Sequence, residues 1–277
     1  MRKSLRVFLA VGIVGLAAAT YMYSVATRDP VVRRASLEMP DWPTGAAPIR
    51  VALITDIHVA GPDMPPSRVA HIVDQVNSLN PDIILLGGDF VSDKRMSTRT
   101  YSASEGLAPL RHLRSKFGSF AVLGNHDHWR NSVAVRVALR TSNISVLNNQ
   151  AVSVGPLRLG GVDDDFTDHA DMKKTVAAIQ SGPGSRVLLS HSPDVAGLAP
   201  SDVSLILVGH THCGQIQLPV VGEVDYQSRF GRRFSCGLLV DHGKRIVVST
   251  GVGTSILPLR LGAVPDLWLL TLGPKSR

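Results

Sequence analysis

The stretch LGNHDHW, residues 123–129, places an asparagine, two histidines and an aspartate at the end of an apolar run. Amide, imidazole and carboxylate groups bind divalent metals of intermediate softness, and two of them also transfer protons. Similar side chains follow four other apolar runs. The candidate ligands are Asp56, His58, Asp89, Asn125, His191, His210 and His212. Five strand-like runs that each deliver such a side chain predict one shared binding site.

These residues lie where a sheet would bring them together. Binding sites in open α/β sheets form at the carboxyl ends of the strands, and each candidate ligand follows a short buried run that is typical of a strand. Asp56 and His58 are two residues apart, and so are His210 and His212. On an extended strand such residues point to the same face, so each pair can share one metal.

The donor set indicates which ions would bind. Three carboxylate or carboxamide oxygens and four imidazoles suit manganese, iron or zinc. The set contains no thiolate, which disfavours a structural zinc site. Seven ligands are too many for one tetrahedral ion and suit two ions that share a carboxylate. Two such ions activate water and stabilise a phosphoryl group during displacement, so we predict two divalent ions, with manganese preferred.

Strands and helices alternate in the first half of the chain. Strand-like runs are expected at 49–58, 81–89 and 119–127. Helical periodicity separates or follows them at 65–80, about 106–117 and about 132–141. This alternation is typical of a parallel sheet that is covered by helices.

The second half is richer in strands. Hairpins are expected at 151–164 and 234–253, buried strands at 185–192 and 203–212, and a last strand at 266–273. Little helical pattern separates these strands, which favours a second sheet packed on the first.

The composition excludes some classes of protein. With 44% hydrophobic and 18% charged residues, the chain is not intrinsically disordered. Only 5% of residues are aromatic, so we expect no nucleic-acid partner. The net charge of +7 is compatible with anionic substrates, an anionic membrane surface, or solubility alone. Cys213 and Cys236 either pair in an oxidising compartment or remain free thiols, which leaves the compartment open.

The N-terminal segment predicts a membrane association. Three basic residues precede the uncharged run 7–26, which is long enough to cross a bilayer, and they favour a cytoplasmic N-terminus. The small residues at 24–26 also fit signal-peptide cleavage, and a buried helix is the third alternative. We predict an anchor or signal sequence over 1–26, a proline-rich linker over 27–48 and a folded domain over 49–277.

The order D-x-H, G-D, G-N-H-D, H and G-H-x-H resembles the calcineurin-like metallophosphoesterases from about residue 49 to the C-terminus. The resemblance implies an α/β fold: a four-layer α-β-β-α sandwich of two mixed sheets flanked by helices, here behind an N-terminal transmembrane helix. It also implies the ligand groups, namely Asp56, His58 and His212 at one ion, Asn125, His191 and His210 at the other, and Asp89 bridging them.

The same resemblance implies two catalytic roles next to the metals. His126 would not bind metal but would lie over the phosphate, where it stabilises the transition state or protonates the leaving oxygen. Asp127 would orient the ring of His126.

Two tail segments, 209–219 and 249–272, resemble more narrowly the membrane-anchored bacterial phosphoesterases that include the UDP-2,3-diacylglucosamine hydrolases. This implies a phosphodiester or pyrophosphate substrate on a lipid or cell-envelope molecule. Together with the basic N-terminus, it favours a bacterial inner-membrane protein with an extracytoplasmic domain, or a secreted form if the signal is cleaved. That subgroup commonly has glycine at the position of Cys213, so a positive φ there would strain the cysteine.

Several further residues have two interpretations. Arg232 and Arg233 bind a substrate phosphate or belong to a solvated basic face. His128 and Trp129 line the pocket or cap a helix, and the aspartates at 163–165 support the ligands or form a solvated turn. For the whole protein, the alternatives are a generic phosphomonoesterase or nucleotide phosphodiesterase, and a non-catalytic metal-binding scaffold.

Overall fold

Two six-stranded sheets form the centre of the protein in a computed structural model that describes residues 2–275. In chain order the longer strands are β1 (Val31–Glu38), β2 (Ile49–Ile54), β3 (Ile83–Leu86), β4 (Ser119–Ala121), β5 (Ile144–Val146), β6 (Gln150–Val154), β7 (Leu157–Gly161), β8 (Ser185–Leu189), β9 (Leu205–Val208), β10 (Gly237–Asp241), β11 (Lys244–Val248) and β12 (Asp266–Gly273). The first sheet has the order β1-β12-β2-β3-β4-β5, and the second has β10-β11-β9-β8-β7-β6.

Both sheets are mixed. Strands β2 to β5 are parallel, and β12 runs antiparallel to β2 while β1 runs parallel to β12. In the second sheet β7, β8, β9 and β11 are parallel, and the hairpin partners β6 and β10 are antiparallel to their neighbours. The two predicted hairpins are therefore confirmed.

The helices cover the outer faces of the sheets. The α-helices are α1 (Arg2–Thr27), α2 (Pro66–Ser78), α3 (Ala103–Leu107), α4 (Asn125–Thr141) and α5 (Met172–Gln180). One apolar cluster joins α2, α3 and α4 to the first sheet, a second fills the space between the sheets, and a third lies under α5 and the short helix Pro193–Gly197. Three clusters between four layers confirm the predicted α-β-β-α arrangement.

The helix α2 follows from its residue spacing. Its buried side chains are Val69, Ile72, Val73 and Val76, at the three- and four-residue intervals of one helix face, and a proline occupies its first turn. The helix predicted at about 132–141 is confirmed as the second part of α4, but two other segments differ from the prediction. The segment 106–117 contains only the end of α3 and the short helix Ala108–His112, and α5 has no counterpart in the prediction.

The stretch 27–48 is not simply a linker, and this prediction was wrong for 31–38. Residues Val31–Glu38 form β1 and pair along their whole length with β12. The sequence does not show this, because the strand lies at a sheet edge, most of its side chains are not buried, and its partner is more than 200 residues away. Leu37 and Met39 are buried against the inter-sheet cluster, so this segment is part of the folded domain.

Helix α1 confirms the predicted N-terminal helix. It has 26 residues and is about 39 Å long at 1.5 Å per residue. Its side chains are exposed from Ser4 to Tyr21, while Val25 and Ala26 are buried against the domain. The guanidinium of Arg68 donates to the carbonyls of Ala26 and Arg28 at 2.9 and 2.7 Å, which ties the end of the helix to α2.

Candidate metal centre

The seven predicted ligands come together at the carboxyl edge of the two sheets. One group contains Asp56, His58 and His212, and another contains Asp89, His191 and His210. In the first, Nε2 of His58 lies 3.1 Å from Nε2 of His212. In the second, Nε2 of His191 lies 3.1 Å from Nδ1 of His210 and 3.0 Å from Oδ1 of Asn125. The structure therefore gathers side chains from distant parts of the chain into two adjacent sets.

Asp89 lies between the two sets. Its Oδ2 is 3.4 Å from Nε2 of His58 and 3.2 Å from Nε2 of His191. Its other oxygen accepts a hydrogen bond from the backbone N–H of His126 at 2.9 Å. One carboxylate oxygen therefore faces both groups while the other is held by the backbone of the GNHD motif.

The protonation of three of the four imidazoles suits metal binding. Burial, the largest influence, lowers the pKa of His210 to about 3 and the pKa values of His58 and His212 well below the usual range. Neutral imidazoles keep a lone pair for a cation. Among the described residues, Nδ1 of His58 and Nε2 of His210 have no hydrogen-bond partner.

The pKa of His191 shows that the carboxylates of the centre stabilise positive charge. Burial acts most strongly and lowers its pKa, but the carboxylates of Asp89, Asp56 and Asp164 together outweigh burial and raise the pKa to about 10. Its Nδ1 lies 2.8 Å from the carbonyl of Gly87, which fixes the ring with Nε2 towards the centre. Both the lone pairs and the excess negative charge fit divalent cations.

The backbone at the predicted ligands is not extended, so the predicted strand geometry was wrong, although Asp56 and His58 do lie in one group as predicted. Asp56, His58, His210 and His212 all have positive φ, between 49° and 69°. They lie in tight loops beyond the strand ends. His210 and His212 belong to different groups and do not share one ion, because the loop turns between them.

Two motif glycines permit the close approach of these loops. A Cβ at Gly124 would lie 2.3 Å from Oδ1 of Asp89, and one at Gly209 would lie 2.2 Å from Oδ2 of Asp56. Because these contacts involve ligand carboxylates, any larger residue would displace a ligand.

His126 lies over the centre, but Asp127 does not orient it, and that prediction was wrong. Nδ1 of His126 contacts Oδ1 of Asp93, and its Nε2 lies 3.9 Å from Oδ2 of Asp89. The carboxylate of Asp127 points away and accepts from the backbone N–H groups of Gly124, Phe90 and Val91. Helix α4 begins at Asn125, so adjacent side chains leave in different directions.

Asp127 therefore has a structural role beside the centre. Burial and the charge of Asp89 raise its pKa to about 7. Its three backbone contacts hold the loop after β3 against the GNHD motif. Asp93, the residue that meets His126, was missed because nothing in its spacing distinguishes it from other aspartates.

The other candidates divide between the pocket and the scaffold. Trp129 lines the cavity over the centre, whereas His128 is bonded to Asp163 at 2.9 Å and stacks on His169. Asp163 also pairs with Arg136 at 2.8 Å. These contacts brace α4 against the second sheet.

Arg232 and Arg233 bind neighbouring protein groups. Arg232 donates to the carbonyl of Val221 at 3.0 Å and to the hydroxyl of Tyr226 at 2.7 Å, and Arg233 pairs with Asp241 at 2.6 Å. In the described part of the chain, neither is among the residues that line the cavity. The structure gives no support to their predicted contact with substrate phosphate, because both guanidinium groups are engaged elsewhere.

A cavity of about 350 Å³ opens over the centre. Its floor is formed by the metal-ligand groups and His126. Its walls are largely apolar and are formed by Trp129, Ile216, Val224, Ile256 and Leu257. The cavity therefore combines a polar floor with largely apolar walls.

The two cysteines form a disulfide with a Cα–Cα distance of 4.9 Å. Cys213 directly follows the ligand His212 and has a φ of 50°, the positive value that favours glycine. The bond connects the ligand loop to Cys236, which immediately precedes β10. It resolves the two alternatives for the cysteines in favour of pairing.

Comparisons with known proteins agree with this geometry. The calcineurin-like phosphoesterase family model matches residues 49–214. A protein of Helicobacter pylori strain J99, named "Uncharacterized metallophosphoesterase", is 32% identical over 237 residues, which cover 83% of this chain and 61% of that protein. A protein of Aquifex aeolicus with the same name is 32% identical over 255 residues, which cover 88% of this chain and 92% of that protein.

A relative from Bos taurus is named "Transmembrane protein with metallophosphoesterase domain". It is 30% identical over 269 residues, which cover 89% of this chain and 58% of that protein. The chain thus spans less than two thirds of the length of the Helicobacter and Bos relatives. The matched residues nevertheless include all seven gathered side chains, and the chain belongs to the calcineurin-like phosphoesterase family.

Proposed function

We propose that this protein is a metal-dependent phosphoesterase that uses two divalent ions to hydrolyse a phosphodiester or pyrophosphate bond. The observation that carries the proposal is the convergence of seven side chains into two groups with Asp89 between them. Asp56, His58 and His212 would hold one ion, and Asn125, His191 and His210 the other. Two ions bound there would supply an activated water and neutralise charge on the phosphoryl oxygens.

His126 supplies the proton chemistry in this proposal. Its Nε2 lies 3.4 Å from the hydroxyl of Ser255, and both residues line the cavity over the metal centre. A proton on Nε2 would pass to the leaving oxygen as the ester bond breaks. Asp93 positions the ring through Nδ1, and Asp127 keeps the supporting loops in place.

The cavity favours an amphiphilic substrate. Its apolar walls, from Trp129 to Leu257, lie next to a polar floor. A phosphodiester or pyrophosphate with an apolar substituent, such as UDP-2,3-diacylglucosamine, has this distribution of groups. A generic phosphomonoesterase or nucleotide phosphodiesterase is the alternative substrate class.

We also propose that α1 anchors the protein in a bacterial inner membrane, with the domain on the extracytoplasmic side. Helix α1 is long and apolar enough to cross a bilayer. The disulfide supports an oxidising compartment, since cytosolic thiols are kept reduced. The name of the Bos taurus relative agrees with a membrane association.

A substrate panel tests the proposal. The purified full chain, loaded with manganese, iron or zinc, is assayed on bis-p-nitrophenyl phosphate, p-nitrophenyl phosphate and UDP-diacylglucosamine. We expect hydrolysis of the diester and the pyrophosphate, with manganese giving the highest rate. No hydrolysis of any phosphoester with any of the metals would support the scaffold alternative instead.

A further inference from the structure

We propose that the protein has a second membrane-contact surface at the mouth of the cavity, which lies on the bilayer that α1 crosses. This surface, the rim surface, consists of Leu218, Val220, Val221, Val224 and Ile256. Its occupant is the headgroup and upper acyl region of an anionic phospholipid bilayer. The inference rests on the proposed anchoring by α1.

The rim surface exposes large apolar side chains in one place. Gln217–Leu218 and Gly222–Glu223 form a short antiparallel hairpin, and Val220 at its tip is fully exposed. Val221, Val224 and Ile256 are each 61–62% exposed. Val224 and Ile256 also line the cavity, so the hairpin and the cavity mouth form one continuous surface. Exposed patches of this kind mark contact with a membrane or a partner.

The position of α1 favours a membrane over a protein partner as the contact of the rim surface. Residues 4–21 of α1 rise about 27 Å, close to the hydrocarbon thickness of about 30 Å. All their side chains are exposed, whereas contact with the domain begins at Met22. The membrane boundary therefore lies near Met22.

Backbone hydrogen bonds connect this boundary to the hairpin. The N–H of Arg260 donates to the carbonyl of Met22 at 3.1 Å. The next residue, Leu261, donates to the carbonyl of Gln215 at 3.1 Å and accepts from the N–H of Gln217 at 2.8 Å. Gln217 is the first residue of the hairpin. Arg260 and Leu261 therefore connect Met22, where α1 leaves the domain, to Gln217 at the base of the hairpin.

A cation and an aromatic ring lie beside the tip of the hairpin, whereas Glu223 and Asp225 lie at its base. The exposed Arg232 donates to the carbonyl of Val221 and to the hydroxyl of Tyr226, which places a cation and an aromatic ring next to the apolar tip. Segments that lie in the membrane interface combine apolar side chains with arginine or lysine, and tyrosine is enriched at that depth. The cavity then opens at the level of the lipid headgroups.

Depth-dependent quenching tests the proposal on the full chain in liposomes of phosphatidylcholine and phosphatidylglycerol. Val220→Cys and Val137→Cys are labelled with an environment-sensitive fluorophore, and both native cysteines are already paired. Val137 is a matched control, since it is also exposed and lies on the part of α4 that runs away from the cavity. Nitroxide lipids with a shallow spin label should quench the label at 220 several-fold more than the label at 137. Equal quenching at the two positions would overturn the proposal.

Two further measurements separate this inference from the proposed function. A label at Val11→Cys should be quenched by deep nitroxides, and no quenching there would overturn both the anchoring and the rim contact. Hydrolysis of bis-p-nitrophenyl phosphate by the same labelled proteins reports the catalytic function. Quenching at 220 without hydrolysis would refute the phosphoesterase and leave the membrane contact standing. Hydrolysis without quenching at 220 would refute the membrane contact and leave the phosphoesterase standing.

Discussion

The floor and the mouth of the cavity are built in opposite ways. The floor consists of buried polar side chains that contact one another, and Asp89 alone lies against two histidine rings and a backbone N–H. The mouth consists of exposed apolar side chains such as Val224 and Ile256. Under the proposed function, the buried floor would therefore fix the chemistry, and the exposed mouth would influence the choice of substrate.

The largest effect is expected from breaking the floor at Asp89. Asp89→Asn removes the negative charge between the two ion sites while keeping the side-chain size. Metal ions contribute several kcal/mol of charge stabilisation, so turnover should fall by about 10³-fold or more. Metal analysis and diester hydrolysis measure this. Wild-type turnover in the variant would show that the shared carboxylate is not needed.

The next effect is expected from His126. His126→Ala should lower kcat by about 10²- to 10³-fold, because general acid catalysis contributes that much. The metal content should stay near that of the wild-type protein, since the ring is a proton donor and not a ligand here. Loss of one ion in this variant would contradict the assigned role.

Asp93 and Asp127 form a matched pair of carboxylates around His126. Asp93→Asn should lower kcat by about tenfold with KM unchanged, and it should have no further effect in a His126→Ala background. Asp127→Asn should instead lower the free energy of unfolding by about 2 kcal/mol, because it weakens buried charged hydrogen bonds. Thermal unfolding and kinetics of the two variants distinguish these roles, and additive effects of the substitutions at 93 and 126 would refute the coupling.

The smallest effect is expected at the mouth. Ile256→Ser removes apolar contact area worth about 1 kcal/mol, so KM for an amphiphilic phosphoester should rise about fivefold. Hydrolysis of bis-p-nitrophenyl phosphate should change less, because its nitrophenyl rings bury less apolar area than a long acyl chain. A similar loss for both substrates would mean that the mouth also shapes the metal centre.

The features that could be predicted from the sequence are those with a local signal in the chain. The ligands were identifiable because each follows a buried run and because their types point to one chemistry. Helix α2 was identifiable from its apolar spacing. The edge strand β1 was not, since its only signal is a partner at the other end of the chain. Asp93 was not, because its contact with His126 depends on how two loops fold over each other.

The backbone conformation at the site could also not be predicted from the sequence. The two-residue spacing of Asp56/His58 and His210/His212 predicts a continued strand, but the chain turns through positive φ at all four residues. That turn sends His210 and His212 to different groups. Strand periodicity describes the runs that lead to the site and fails at the site, where loops take unusual conformations to present ligands.

Anomalous diffraction from crystals of the full chain grown with manganese tests the central claim most directly. Two peaks should appear about 3.5–4 Å apart on either side of the Asp89 carboxylate, one near His58 and His212 and the other near His191 and His210. A single peak, or peaks away from these side chains, would contradict the two-ion centre.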